Sequence, residues 1–250
     1  MINSIQIEVT TRCNYKCWYC TGRTMEQSDL EWDTFVGIVA KLPKNSAIHL
    51  QGEGEPTLWE HWWEGLAYLK DMGHHVSTII NGSIVDSERL VKYVDTLGVS
   101  LDTIYPMQAE KIGRFNVSKV MDNLLSLQAT FKDKLTVFIT DSGQDLYATV
   151  KWLNSNNIRY ARQPLQVKTD YVKIYPKSIR ISNRPQSKEV KLQCTYLSEK
   201  SKTKYFTVKG QELPCCYIKK PEGFDIHVAR NEMKSGIVPL HCEGCRFITG

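Results

Sequence analysis

The sequence predicts an α/β protein built on a parallel sheet, and three of its features do so. Short apolar runs alternate with longer amphipathic stretches through the first two-thirds of the 250 residues, the pattern of repeated βα units. Capping residues stand where helices should begin, with Ser87 ahead of Glu88 and Asp145 opening the run to Asn156. Gly73 and Gly98 punctuate the ends of helical runs.

In chain order, strands are expected near Ser4 to Val9, Ala47 to Gln51, His75 to Ile80, Gly98 to Leu101, Leu135 to Thr140 and Arg159 to Pro164. Helices are expected near Trp32 to Leu42, Trp59 to Met72, Glu88 to Val94, Val117 to Phe131 and Asp145 to Asn156. Beyond about Gln166 the periodicity gives way to Lys-rich, Pro-interrupted text such as Lys173 to Lys177 and Ser182 to Lys191. Loops around a small cysteine-bearing subdomain are expected there, with domains at 1–166 and 167–250.

Composition narrows the function. With 42% hydrophobic and 24% charged residues the chain can bury a sizeable core. Its net charge of +5 is scattered and concentrated mainly in Lys168 to Lys220, which argues against a nucleic-acid partner. No run of 18 apolar residues occurs, and Met1 to Thr11 lacks a basic region followed by an apolar run, so a cytoplasmic protein with no membrane segment is expected. The eight cysteines fall into two groups separated by a cysteine-free stretch from Thr21 to Gln193, and such grouping favours two metal sites over a disulfide framework.

Cys13, Cys17 and Cys20 are spaced C-x3-C-x2-C directly after the first expected strand. Three thiolates on one tight loop can hold three irons of a cubane and leave the fourth iron open to a chelating ligand. This spacing, with aromatic Tyr19 before the last cysteine, resembles the signature of the radical S-adenosylmethionine (SAM) superfamily. The resemblance implies that the open iron of a [4Fe-4S] cluster binds the methionine moiety of SAM.

Gly52-Glu53-Gly54-Glu55-Pro56 follows the second expected strand, where that superfamily places a GxGEP-type segment beside the SAM amino group. Gly54 permits close backbone approach, and Glu55 is expected to accept a charge-assisted hydrogen bond from the ammonium. The resemblance also points to Asn81 and Ser100 at the ends of the third and fourth strands, with Ser100 toward the ribose, and to Arg114 near the carboxylate. It covers about Asn3 to Pro164 and implies a partial (β/α)6 TIM-type barrel with its active groups at the C-terminal strand ends.

At the other end, Cys194, Gly210 and Cys215 are spaced C-x15-G-x4-C, and Cys242 and Cys245 form a C-x2-C pair. This looks like the opening half of the SPASM pattern, shortened as in Twitch enzymes. The resemblance implies one auxiliary [4Fe-4S] cluster on Cys194, Cys215, Cys242 and Cys245; a structural zinc site on the same thiols is the alternative. Cys216 is left over, either as a substitute for Cys215, as an inert buried thiol, or as a catalytic hydrogen-atom donor.

These resemblances imply reductive cleavage of SAM to a 5′-deoxyadenosyl radical and hydrogen abstraction from a small-molecule or peptide substrate, with flavodoxin or ferredoxin as electron donor. Two-electron oxidation of a polar or sugar-like substrate leads. Epimerisation through Cys216 and peptide maturation are the other enzymic readings, and a non-catalytic iron-sulfur or zinc protein is the reading from another class. Trp59, Trp62 and Trp63 read as packing residues and the six histidines as packing or surface residues. Asp141 and Arg162 are placed facing the barrel interior.

Overall fold

Residues alternate between buried and half-buried along Ser4–Ile7 (β1) and Ala47–Leu50 (β2), the signature of strands with one face on a core. The computed structural model describes residues 4–179 and 192–249; Ser182 to Lys191 lies outside the described residues. Four further βα strands follow, His75–Ile80 (β3), Thr96–Ser100 (β4), Leu135–Asp141 (β5) and Tyr160–Pro164 (β6). The helices between them are Trp32–Val39 (α1), Trp62–Asp71 (α2), Ser87–Tyr93 (α3), Pro106–Ile112 (α4), Val117–Phe131 (α5) and Tyr147–Ser155 (α6). Thr169–Val172 (α7), Thr203–Phe206 (β7), Glu212–Leu213 (β8) and Ile226–Lys234 (α8) complete the described elements.

One eight-stranded sheet runs in the order β6-β5-β4-β3-β2-β1-β7-β8. All neighbours are parallel except β7 and β8, which form an antiparallel hairpin. Each βα unit thus lays its strand beside the previous one, the winding of a barrel, and the described sheet stays open between β6 and β8. The expected α/β class is what is found. The sheet crosses from the βα units into the C-terminal segment, because β1 pairs with β7 in the register Ser4↔Thr203 to Ile7↔Phe206.

The core lies between sheet and helices. On α5, Val117, Val120, Leu124, Leu127 and Phe131 form a buried stripe at helical spacing. Gly65 of α2 admits the Trp59 ring, since a Cβ there would lie 2.5 Å from it. A smaller core of Leu197, Ala229, Met233 and Cys242 holds the C-terminal segment.

Several expectations need correction. Asp86, not Ser87, caps α3, its carboxylate accepting from Arg89 N at 2.9 Å; a carboxylate in extended backbone meets the first-turn amides and the helix dipole together. Trp59 precedes α2, in a turn opened by Pro56. Gly98 does not end a helix but lies inside β4, where Ile79 and Phe138 leave no room for a Cβ. The region beyond Gln166 holds α7, β7, β8 and α8 rather than loops alone, because short elements that lean on another core carry weak periodicity. The seven-residue α4 escapes the sequence for the same reason, burying only Ala109 and Ile112.

Gly98→Ala should lower stability by about 1–3 kcal/mol through overpacking, read as a drop in the urea midpoint; an unchanged midpoint would contradict this placement.

Candidate active site

β1 runs out into the segment carrying Cys13, Cys17 and Cys20, and that loop is held on both sides. Arg12 pairs with Asp29 at 2.6 Å and donates to Leu58 O at 2.6 Å. Glu55 N donates to Arg12 O at 2.8 Å; Lys16 N and Trp18 N donate to Gly113 O and Ile112 O, each at 2.9 Å. The approach is close enough to require glycine at both clamps. A Cβ on Gly54 would strike Thr10 O and lie 2.6 Å from Arg12 O, and one on Gly113, at φ +101, would strike Lys16 O. Burial pushes the Cys13 and Cys20 thiols toward protonation, so a bound cation has to supply the charge that makes them thiolates. Three thiols on one restrained loop are the kind of donor set that a cubane with an open iron takes.

Around this loop the structure gathers Tyr19, Glu55, Asn81, Ser100 and Arg114. Glu55 is buried; its Oε2 accepts from Asn81 N at 2.6 Å and its Oε1 from Thr57 Oγ1 at 2.7 Å. Desolvation outweighs these bonds and raises its pKa to about 7. Asn81 Nδ2 donates to Asn14 Oδ1 at 2.7 Å, tying the end of β3 to the loop. Tyr19 OH donates to Asp102 Oδ2 at 2.5 Å. Arg114 donates from Nη1 to Ser100 O at 2.8 Å and from Nη2 to Tyr19 OH at 3.2 Å, with Nε 2.9 Å from Asp102 Oδ2.

Asp102 is fully buried and also accepts from Thr140 N at 2.8 Å. Sequence reasoning reaches it only as the neighbour of Ser100, whose backbone, rather than its side chain, Arg114 engages. The signal that could have found it is an acid just past a strand end. Asp141 and Arg162 pair with each other at 2.7 Å in solvent, 38% and 55% exposed, instead of facing an interior.

A second polar set lies on the other side of Cys20. Glu53 Oε2 accepts from Thr21 Oγ1 at 2.7 Å and from Cys20 Sγ at 3.4 Å. Its Oε1 pairs with Lys219 and accepts from Tyr171 OH at 3.5 Å. Burial works to raise the Glu53 pKa, but Lys219 overrides it and holds the carboxyl ionised. The Lys219 ammonium likewise stays charged despite burial, because Glu53, Tyr171 and Tyr205 surround it. Neither Glu53 nor Lys219 stands out in the sequence as a site residue.

Cys194, Cys215, Cys242 and Cys245 line one enclosed cavity with Lys168 and Tyr217. The pairing of Gln193 with Thr249 draws the first of these cysteines alongside the last, and Gly210, at φ +75, makes the turn between β7 and β8 that leads to Cys215. Desolvation pushes Cys215 and Cys242 up to about 12, so a ligand role for either would need a cation to draw off its proton. Among the described residues no group of three His, Cys, Asp or Glu side chains could hold a metal ion as placed; the four thiols face one cavity. Cys216 does not line that cavity. It lies within electrostatic reach of Lys219, Glu53 and Glu8, and also of Cys215 and of Tyr196 on the cavity wall.

Residues 7–153 match the Radical SAM superfamily, and the chain belongs to it. Membership brings a [4Fe-4S] cluster and SAM as cofactors, and makes the protein an enzyme. The chain is 28% identical over 168 residues to an S-adenosylmethionine-dependent nucleotide dehydratase of Selenomonas ruminantium, covering 60% of this chain and 61% of that protein. It is 29% identical over 133 residues to a probable GTP 3′,8-cyclase of Methanocaldococcus jannaschii, covering 49% and 44%. The matches thus span about three-fifths or less of these relatives. Among solved structures, Streptococcus suis SuiB bound to S-adenosylmethionine superposes with a TM-score of 0.69 at 16% identity, over 97% of this chain and 67% of SuiB. BtrN in complex with AdoMet and 2-DOIA superposes at 0.51 and 13% identity, over 100% and 94%. Both show the fold. Among the described residues no helix is long and apolar enough to cross a membrane.

Gly113→Ala should displace the cysteine loop, since the substitution is strained at that φ and meets Lys16 O. Reconstituted Gly113→Ala is expected to load less iron than wild type at unchanged far-ultraviolet dichroism; equal iron would show that the clamp is dispensable.

Proposed function

We propose that Cys13, Cys17 and Cys20 hold the SAM-cleaving cluster, that Cys194, Cys215, Cys242 and Cys245 hold an auxiliary [4Fe-4S] cluster, and that the enzyme oxidises a small polar or sugar-like substrate by two electrons. Residues 1–166 would form the SAM-cleaving core and residues 167–250 the auxiliary unit. The observation that carries this reading is the single cavity lined by the last four cysteines, because full ligation by thiolates leaves no open iron and suits electron uptake. When bound, the cofactors supply a 5′-deoxyadenosyl radical that takes a hydrogen atom from substrate and an acceptor for the second electron.

The chain's own residues would bind and orient. Glu55 would accept from the SAM ammonium, and Arg114, fixed by Asp102 and Tyr19, would present positive charge toward the carboxylate. Glu53, Lys219 and Tyr171, beside Cys20, are the acceptor and donors that a polyhydroxyl substrate would have to draw from their bonds to one another. Two relatives are named for reactions of nucleotides, and a nucleotide's ribose falls within this class. A peptide substrate is the rival, supported by the fold of SuiB, which has been solved with precursor peptide SuiA.

A second enzymic reading has its own observation. Cys216 does not line the auxiliary cavity and lies within electrostatic reach of Lys219, Glu53 and Glu8, where a protonated thiol could return a hydrogen atom to a substrate radical and invert a stereocentre.

Anaerobic reconstitution should give about eight irons per chain, falling to about four when Cys13, Cys17 and Cys20 are all changed to alanine. About four falling to none would remove the auxiliary acceptor and with it the oxidation. Solvent deuterium entering product at carbon, and lost in Cys216→Ala, would favour epimerisation instead.

Because the folded Glu55 pKa is raised to about 7, an arriving ammonium meets a neutral acid below that pH and a carboxylate above it. SAM affinity should therefore rise between pH 6 and 8 in wild type and stay flat in Glu55→Gln, as measured by equilibrium dialysis; parallel profiles would contradict the role given to Glu55.

A further inference from the structure

Lys168, just ahead of α7, is buried, which lysines almost never are without a partner that needs them. It lines the same cavity as Cys194, Cys215, Cys242 and Cys245. The backbone holds it there. Thr169 N donates to Glu243 O at 3.1 Å, inside the turn between Cys242 and Cys245. Gly244, at φ +71, lets that turn close on the lysine segment, since a Cβ there would lie 3.0 Å from Val167 O and 3.1 Å from Thr169 N. The lysine is thus brought to the thiols by two segments bonded to each other.

Its charge is only partly matched. Nζ donates to Asp170 Oδ2 at 2.5 Å, but the lysine side chain is 5% exposed and the aspartate 29%, so water screens the acid more than the base. An ammonium has three protons to donate, and Asp170 is its one acceptor among the described residues. Taking such an ion out of water costs several kcal/mol, which a partly solvated carboxylate offsets incompletely. The thiols lie within reach of the remainder. Burial pushes Cys242 and Cys245 toward protonation, and of the cations that oppose it Lys168 acts most strongly on each. Four thiolates around an iron-sulfur core leave net negative charge, which supplies what the ammonium lacks.

We propose that Lys168 is the counter-ion of the auxiliary cluster and raises its reduction potential, fitting it to take up an electron. The proposal rests on the reading of Cys194, Cys215, Cys242 and Cys245 as that cluster's ligands. A fixed positive charge in a dry cavity favours whichever form of the group carries one more electron. Lys168 ligates no iron and touches no substrate; it is a positioning residue that acts through its field, and Asp170 moderates that field.

The test titrates the auxiliary cluster by itself, in the full chain with Cys13, Cys17 and Cys20 changed to alanine, reading the reduced cluster by electron paramagnetic resonance as the potential is stepped. Adding Lys168→Met should leave about four irons per chain and lower the midpoint by about 59 mV, a tenfold smaller equilibrium constant for one-electron uptake. Lys168→Arg keeps the charge and should restore the midpoint. A midpoint unmoved in Lys168→Met, or lowered equally in Lys168→Arg, overturns the proposal. Where Lys168→Met loads fewer irons, Asp170→Asn carries the test: loss of the opposing carboxylate should raise the midpoint, and an unmoved or lowered one overturns the proposal. In the chain with all eight cysteines, Lys168→Met should form 5′-deoxyadenosine from dithionite and SAM at the wild-type rate; a loss would assign Lys168 to the other cysteine set. Iron absent from the triple alanine chain overturns the ligand assignment and the proposal together, whereas about four irons with an unmoved midpoint overturn the proposal alone.

Discussion

Everything in this molecule hangs on β1, which is hydrogen-bonded on both flanks, to β2 on one side and β7 on the other. Ile5 and Ile7 are buried in it, each contributing roughly 1.5–3 kcal/mol of hydrophobic stabilisation. The next residue along the chain reaches further still. Glu8 accepts from Glu53 N at 2.9 Å through one oxygen and from Val208 N at 3.4 Å through the other. One carboxylate thus ties the exits of β2 and β7, and with them the glycine-rich segment and the C-terminal hairpin, to the strand that carries the cysteine loop. Gly52 is beside it because a Cβ there would occupy the same space as the Glu8 side chain.

Two buried ionic sets share the polar work, and they sit on opposite sides of the cysteine loop. Arg114 with Asp102 and Tyr19 orders the ends of β4 and β5. Lys219 with Glu53 joins the C-terminal segment to Cys20 and Thr21. Taking such charges out of water costs several kcal/mol per ion, and the attraction within each pair does little more than offset it. Their contribution is therefore geometric: each removes alternatives for where a loop can lie. That both sets flank the same three cysteines, rather than being dispersed through the core, is what makes the region a site.

Much of this was legible in the residues. Cys13, Cys17 and Cys20 stand close in sequence, so local spacing alone suggests a shared ligand. The helix α5 was legible from end to end because fifteen residues give several turns of an unbroken apolar stripe. α4 was not, since seven residues opened by a proline repeat the pattern too few times to be seen. Lys219 was unreadable as a buried ion because nothing near it in sequence distinguishes it from the solvated lysines of the same region; its partner is 166 residues away. Asp141 and Arg162 misled for the converse reason, since strand ends look alike whether they face the interior or the solvent.

The sequence by itself determined the α/β class and the order of the βα units, because periodicity and capping are properties of neighbouring residues. Only the tertiary structure decided that β7 would pair with β1, that Arg114 would rest on Asp102, and that Glu53 would meet Lys219. It also gave two adjacent cysteines different surroundings, Cys215 lining the cavity with the other three thiols and Cys216 within reach of Lys219 and Glu53. Which one meets which surroundings depends on the register in which the hairpin docks, and that is settled by contacts with residues far away in the chain.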